Sequence, residues 1–261
     1  MEKTRIQKVL SAAGVAPRRA LEQMVLDGRI SVNGRIVSAL PCFVTDGDEI
    51  CIDGQVVAGR PEKKIYILLN KPRGVICTQR DETGRNRPRA VDLVDWTGRR
   101  LYCVGRLDAD STGLIILTND GELTNRLTHP RYGVMKTYIA HVAGRVTGKD
   151  IASLRRGIFL GPQKTSSGAP KRRSQTSPAR VSVKMVRRGA TESLLELRIS
   201  EGRNRQVRRM LARLGHKVYR LHRSAIGPII DRGLKIGRFR RLKLSEISAL
   251  RKSAGIRLPK H

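Results

Sequence analysis

The stretch VGRLDADSTGLIILTNDGEL, residues 104–123, sets Asp108 between two apolar runs that each read as a strand. A carboxylate so placed has two uses. It can close a turn by accepting a nearby backbone N–H, or it can act as a nucleophile or base. Asp110 and Ser111 are equally good turn formers, so the local spacing alone does not single out Asp108. Further along, EGRNRQVRRML places four arginines between the end of a strand and a helix. With Val207 and Met210 facing a core, Arg208 lies about 100° around the helix from Val207, at the edge of the buried stripe. From there it can reach inward to a carboxylate. A carboxylate fixed beside a guanidinium stays ionised at neutral pH, as a nucleophile or base requires. Arg203, Arg205 and Arg209 read more simply as a phosphate-binding surface.

These residues need a scaffold, and the chain is long enough to provide two. Its 261 residues suffice for two domains, each with a core of its own. Lys and Arg number 53 against 22 acidic residues, a formal charge of +31. A field of that sign implies a polyanionic partner, nucleic acid before an anionic membrane. The longest apolar runs, residues 65–69 and 114–117, are far too short to span a bilayer. MEKTRIQKVL has no apolar segment of the secretory kind, so a cytoplasmic location is expected. Cys42, Cys51, Cys77 and Cys103 are widely spaced, which argues for reduced thiols and against a zinc ribbon. The five histidines form no HExxH-like pair. Neither a metal nor another cofactor is expected.

The charge is uneven. Residues 1–60 carry 8 basic and 7 acidic groups, whereas residues 201–261 carry 18 and 3. A boundary near GRPEKK, residues 59–64, follows, with domains expected at 1–60 and 64–250 and a basic tail at 251–261. In the first segment Ile6, Val9, Leu10 and Ala13 share one helical face, stopped by Gly14. Pro17 suits the first turn of a second helix with Ala20, Leu21, Met24 and Val25 on its apolar face. Ile30 and Val32 then run into Asn33-Gly34, the strongest short hairpin signal, and Ile50 and Ile52 form a last strand closing on Asp53-Gly54.

From Lys64 onward the pattern is strand-rich. IYILLNKPRGVICT gives two apolar runs around a Pro-Gly interruption, and LYCVGRLD and GLIILTND flank Asp108. Asp120 reads as the N-cap of a helix carrying Leu123 and Leu127 and ending before Pro130. KTYIAHVAG places Tyr138, Ala140 and Val142 on one strand face, and SLLELRIS does the same for Leu195, Leu197 and Ile199. Residues 161–179 read as a basic loop. A helix is expected over residues 204–214, with Val207, Met210, Leu211 and Leu214 inward. The class is α+β: a small α+β domain, then a domain with a mixed or antiparallel sheet and helices.

RIQKVLSAAGVAPRRALEQMVLDGRISVNG resembles the small S4-like RNA-binding domain, with Pro17 standing where that family usually has Ser. The resemblance implies that Lys3, Arg5, Lys8, Arg18 and Arg19 face RNA phosphates. GRLD with GLIILTNDGEL, LLNKPRGV upstream, KTY downstream, and EGRNRQVRRML with LGHKVYRLHRSAIG resemble, in order, the bacterial ribosomal RNA pseudouridine synthases of the RsuA/RluB family. That implies a redox-neutral isomerisation of a uridine in ribosomal RNA, with large-subunit RNA favoured over small-subunit RNA and a monomer as the working form. The alternative of another class is a non-catalytic RNA-binding assembly factor, which would require Asp108, Tyr138 or Arg208 to be degraded. The resemblance makes Asp108 the essential carboxylate, as nucleophile or as ribose-proton base. It lays Tyr138 against the uracil, pairs Arg208 with Asp108, and gives Arg106 and Lys71 the task of steadying the nucleotide or its phosphates. The target base would have to leave its stack to reach Asp108.

Overall fold

A computed structural model of the chain describes residues 3–57, 63–79, 84, 86–95, 100–160, 174–175, 181–188, 191–230 and 233–256. Two compact units emerge, residues 1–64 with 97–100 and residues 65–96 with 101–261. The centre of the expected boundary, the core of the 161–179 loop and residues 257–261 lie outside the described residues.

In the first unit, helices α1 (Ile6–Ala12) and α2 (Arg18–Leu26) precede strands β1 (Ile30–Val32), β2 (Arg35–Ile36), β3 (Ile50–Ile52) and β4 (Gln55–Val56). The strands form an antiparallel sheet in the order β2-β1-β3-β4. Asn33 and Gly34 have φ of +50° and +76°, the two positive values that a tight hairpin turn requires. Asp53 and Gly54 repeat that geometry, so the chain does not stop there but folds back into β4. Pro17 is the N-cap of α2 rather than a residue of its first turn. Ile6, Leu10, Leu21, Val25, Ile30, Val44 and Ile50 make the core. Ala20, expected on the buried face of α2, is exposed.

The second unit contains β5 (Tyr66–Lys71), β6 (Tyr102–Cys103), β7 (Thr112–Thr118), α3 (Gly121–Thr128), β8 (Lys136–Ala143) and α4 (Gly148–Arg156). It continues with β9 (Val181–Arg188), β10 (Glu192–Ile199), α5 (Gln206–Arg213), β11 (Val218–Ile226), β12 (Ile229–Ile230), β13 (Phe239–Arg241) and α6 (Leu244–Ser253). Among the described residues these strands form a nine-stranded sheet with the path β9-β10-β8-β11-β7-β5-β13, β6 pairing with β7 and β12 with β11. Every pairing is antiparallel except β7 with β11, which is parallel.

Burial explains the two kinds of strand pattern. In β5 and β7, Ile67, Leu69, Ile115 and Leu117 face a core shared with Tyr138, Leu197 and Met210. Their neighbours Leu68, Leu114 and Ile116 face a second core with Leu123 and Leu127 of α3 and Leu250 of α6. Strands covered on both sides read as unbroken apolar runs. β8 and β10 instead alternate buried and half-buried residues. Asp120 caps α3 as expected, its carboxylate accepting from the Leu123 N–H at 3.0 Å.

Two elements are shorter than expected. LYCVGRLD is a strand only at Tyr102–Cys103, and the rest is loop. α5 starts at Gln206 rather than Asn204, because Arg205 is its N-cap in a left-handed conformation. The fold also runs past residue 250. α6 continues to Ser253, Ala254 is buried, and Arg251 bonds to the Asp120 carboxylate at 3.1 Å, so residues 251–256 are no tail. No helix of the described residues is long and apolar enough to cross a membrane.

Candidate active site

Asp108 sits in the loop that joins β6 to β7, and the backbone of that loop is held at several points. Gly74 N–H donates to the Ala109 carbonyl at 2.7 Å, Leu107 N–H donates to Cys77 Sγ at 3.4 Å, and Ser111 N–H donates to the Asp108 carbonyl at 3.1 Å. The turn is therefore closed by the backbone of Asp108, not by its side chain. The carboxylate has no hydrogen-bond donor among the described residues, and its nearest cation is Arg205, with Nη1 at 3.6 Å from Oδ2. It opens on a cavity of about 300 Å³ lined also by Arg106, Tyr138, Arg203, Arg205 and Arg223.

Asp110, two residues on, is in the opposite condition. Arg205 donates to both of its oxygens, at 3.1 and 3.0 Å. Burial pushes the Asp110 carboxyl up, but the Arg205 hydrogen bonds and the charges of Arg208 and Arg205 outweigh it and hold the group below its usual range.

The expected pairing of Arg208 with Asp108 is not what the structure holds. Arg208 donates to the Val218 carbonyl at 3.0 Å and the Asp110 carbonyl at 3.1 Å, and its Nη2 lies 3.4 Å from the Asp110 carboxylate. With its side chain only 11 % exposed, it ties the start of β11 to the Asp108 loop. Arg205 takes the place beside Asp108 because the left-handed turn ahead of α5 swings it over the loop. Lys71 likewise departs from expectation. It is fully buried, and its ammonium donates to the carbonyls of Pro72 and Val75, both at 2.8 Å. Burial pushes its pKa down. Both carbonyls belong to the turn against which the Asp108 loop is bonded, so Lys71 braces that turn and does not reach the cavity.

The other expected residues do line it. Arg106 is exposed at the mouth, and Arg203 pairs with Glu201 at 2.7 Å. Tyr138 is buried on β8, opposite Leu197 of β10 and Arg223 of β11. In the first unit Lys3, Arg5, Lys8, Arg18 and Arg19 are all exposed, with Arg18 and Arg19 opening α2.

Three contributors escaped the sequence reading: Asp110, Lys136 and Arg223. Asp110 looked like a turn residue. Lys136 lies two residues before Tyr138 and so shares its strand face, and Arg223 shares a face with Leu221 in the same way. Strand periodicity carries both signals. The parallel contact of β7 with β11 sets Gly113 opposite Arg223, and Gly113 has φ of +114°. A Cβ there would run into the Arg223 backbone. Only glycine lets the two strands close and bring the Asp108 loop beside Arg223. Among the described residues, no three His, Cys, Asp or Glu side chains gather as a metal site.

Comparisons with known proteins identify the family. The family model described as RNA pseudouridylate synthase matches residues 65–213, and the S4 domain model matches residues 4–50. The chain is 40 % identical over 247 residues to ribosomal large subunit pseudouridine synthase B of Bacillus subtilis, covering 95 % of each. It is also 40 % identical to an RNA pseudouridine synthase of Aquifex aeolicus, covering 98 % of this chain and 97 % of that one. A crystal structure of a pseudouridylate synthase superposes with a TM-score of 0.64 at 31 % identity, covering 94 % of this chain and 99 % of the other. The chain thus belongs to the RNA pseudouridylate synthase family, with an S4 domain ahead of its synthase region.

Proposed function

We propose that this protein converts a specific uridine of large-subunit (23S) ribosomal RNA to pseudouridine, with Asp108 as the reactive carboxylate. The C1′–N1 bond breaks, the uracil turns, and a C5–C1′ bond forms. Overall one proton moves from C5 to N1, and nothing is oxidised or reduced. The observation that carries the reading is the pair of carboxylates in one loop. Asp110 is bound by arginines and structural, whereas Asp108 is held by its backbone with its oxygens open to the cavity. A carboxylate that spends none of its lone pairs on the fold is available to the sugar.

Tyr138 and the apolar side chains of Ile199, Val207 and Leu221 offer a flat surface for a flipped-out base. Arg106, Arg203 and Arg205, nearer the mouth, suit the flanking phosphates. The exposed basic residues of the first unit add attraction to RNA. The choice of large-subunit RNA is supported by the name of the Bacillus subtilis relative.

The test is carbodiimide mapping of pseudouridine on ribosomal RNA that lacks the modification, incubated with the protein or with Asp108→Asn. One new signal in 23S RNA with the wild type, and none with the variant, is expected. A signal confined to small-subunit RNA would overturn the substrate, and an unimpaired variant would overturn the role of Asp108.

A further inference from the structure

The inner end of the cavity holds two cations with no acidic partner. Lys136 is 9 % exposed and Arg223 is 3 % exposed, yet both line the cavity. The Lys136 ammonium makes no hydrogen bond or ion pair among the described residues. Arg223 donates from Nε to the Leu114 carbonyl at 2.7 Å, and its buried Nη2 has no acceptor. Lys136 stands two residues from Tyr138 on the same face of β8, and Arg223 stands opposite Tyr138 on β11.

An unpaired ammonium largely withdrawn from water loses hydration that an apolar residue would not have to give up. The charged groups around Lys136 do not offset that cost. Arg223 on β11 repels it. Glu201, past the end of β10, is taken by Arg203 at 2.7 Å. Asp108 and Asp110 in the loop face Arg205, at 3.6 and 3.0 Å. The hydrogen bond from the Cys103 thiol holds the Cys77 thiol down against its burial, with the Leu107 N–H and the charges of Lys71 and Arg223 contributing. Burial, with Arg223 beside it, pushes the Lys136 pKa down to about 8.

Depth decides what such a site can take. A nucleotide that enters base-first leaves its phosphates at the mouth, where Arg205 and Arg203 are 45 % and 30 % exposed. The groups that reach the buried end are the uracil carbonyls and N1. When the C1′–N1 bond breaks, its electron pair stays on the uracil, and the charge spreads over N1 and the carbonyl oxygens. The pair returns from C5 to C1′ in the new bond, and the C5 proton is given up. Between those steps the base is an anion, and a desolvated cation fixed beside it is worth far more than one in water.

Resting on the assignment of Asp108 as the reactive carboxylate, we infer that Lys136, seated with Arg223 at the inner end of the cavity, is a further catalytic residue that stabilises the uracil anion while it is detached from the sugar. Lys136 is protonated below its pKa, so the charge is present at neutral pH and lost on the alkaline side.

The experiment is single-turnover pseudouridine formation on unmodified ribosomal RNA from pH 6 to 10, with wild type, Lys136→Met, Lys136→Arg and Asp108→Asn. RNA affinity and thermal melting are measured alongside. Wild-type rate should fall roughly fivefold between pH 8 and pH 9, as a lysine of that pKa discharges. Lys136→Met should be roughly 100-fold slower, without that limb and with affinity within about twofold. Lys136→Arg should recover much of the rate, with the limb gone because arginine stays charged. A wild-type rate in Lys136→Met, or an affinity loss that accounts for its whole defect, overturns the inference. Should Lys136→Met fail to fold, an unmoved alkaline limb in Lys136→Arg does so instead. Those results leave the Asp108 reading standing if Asp108→Asn is inactive. An active Asp108→Asn, or a wild type that forms no pseudouridine, overturns that reading itself.

Discussion

The two units place their basic side chains in opposite ways. In the first, Lys3, Arg5, Lys8, Arg18 and Arg19 are all at the surface, and no Lys or Arg is buried among the described residues. The second buries Lys71, Lys136 and Arg223 and leaves the Arg208 side chain only 11 % exposed. An exposed charge is screened by salt, and a neighbour a few ångströms away can replace it. A buried one is fixed in position, costly to keep, and irreplaceable. Basic side chains in the first unit are thus placed for attraction. In the second, Arg208 holds a loop, and the role proposed for Lys136 needs a substrate in the cavity.

If that contrast is right, changes that remove a charge in the second unit matter most, and their effects depend on position. Asp108→Asn should lower the single-turnover rate by on the order of 10⁴-fold, with RNA affinity nearly unchanged. Asp110→Asn, only two residues away, should cost roughly 10- to 100-fold. It acts by loosening the grip of Arg205 and Arg208 on the loop, so the carboxylate of Asp108 wanders from its working geometry. Equal losses in the two variants, read by the same rate measurement, would erase the distinction between a reactive and a structural carboxylate.

The next effect is one of packing without any charge. Gly113→Ala would press a methyl group into the Arg223 backbone at a φ of +114°. Overpacking and backbone strain together should cost about 3 kcal/mol, a drop of roughly 6–12 °C in the melting temperature of the second unit. Because the same contact brings the Asp108 loop beside Arg223, activity should fall even below the transition. A variant that melts normally and stays active would show that the parallel pairing of β7 with β11 does not set the site.

Much of this was legible in the sequence where one physical rule decides the outcome. The two-residue period exposed β8 and β10, continuous apolar runs exposed β5 and β7, and Asp120 announced α3 through its capping oxygen. Asp108 itself stood out only when EGRNRQVRRML and the order of the other motifs were read with it. What stayed hidden depends on contacts between distant segments. Whether Arg205 or Arg208 approaches Asp108 turns on the left-handed backbone at Arg205, which propensity does not announce. The resemblance gave Lys71 to the nucleotide, whereas two carbonyls of the neighbouring turn capture its ammonium. Lys136 and Arg223 were visible as charges but not as buried charges, since their burial comes from β8, β10 and β11 closing together.

The smallest expected effect belongs to the first unit, and its form is more telling than its size. Arg18 and Arg19 open α2, side by side and exposed. If they act only through phosphate attraction, Arg18→Ala with Arg19→Ala should weaken RNA binding about tenfold at moderate salt. The slope of log affinity against log salt should fall by roughly 1.4 to 1.8, the release of two counterions. Lysines at both positions should restore affinity and slope, because a screened surface charge needs its sign and not its shape. The rate at saturating RNA should stay within about twofold throughout, as a uniform loss of binding attraction leaves the chemical step unchanged. Failure of lysine to restore binding would mean that these arginines read the RNA by geometry. The contrast between the two units would then be one of burial alone, since both would use arginine for its fixed fork of donors.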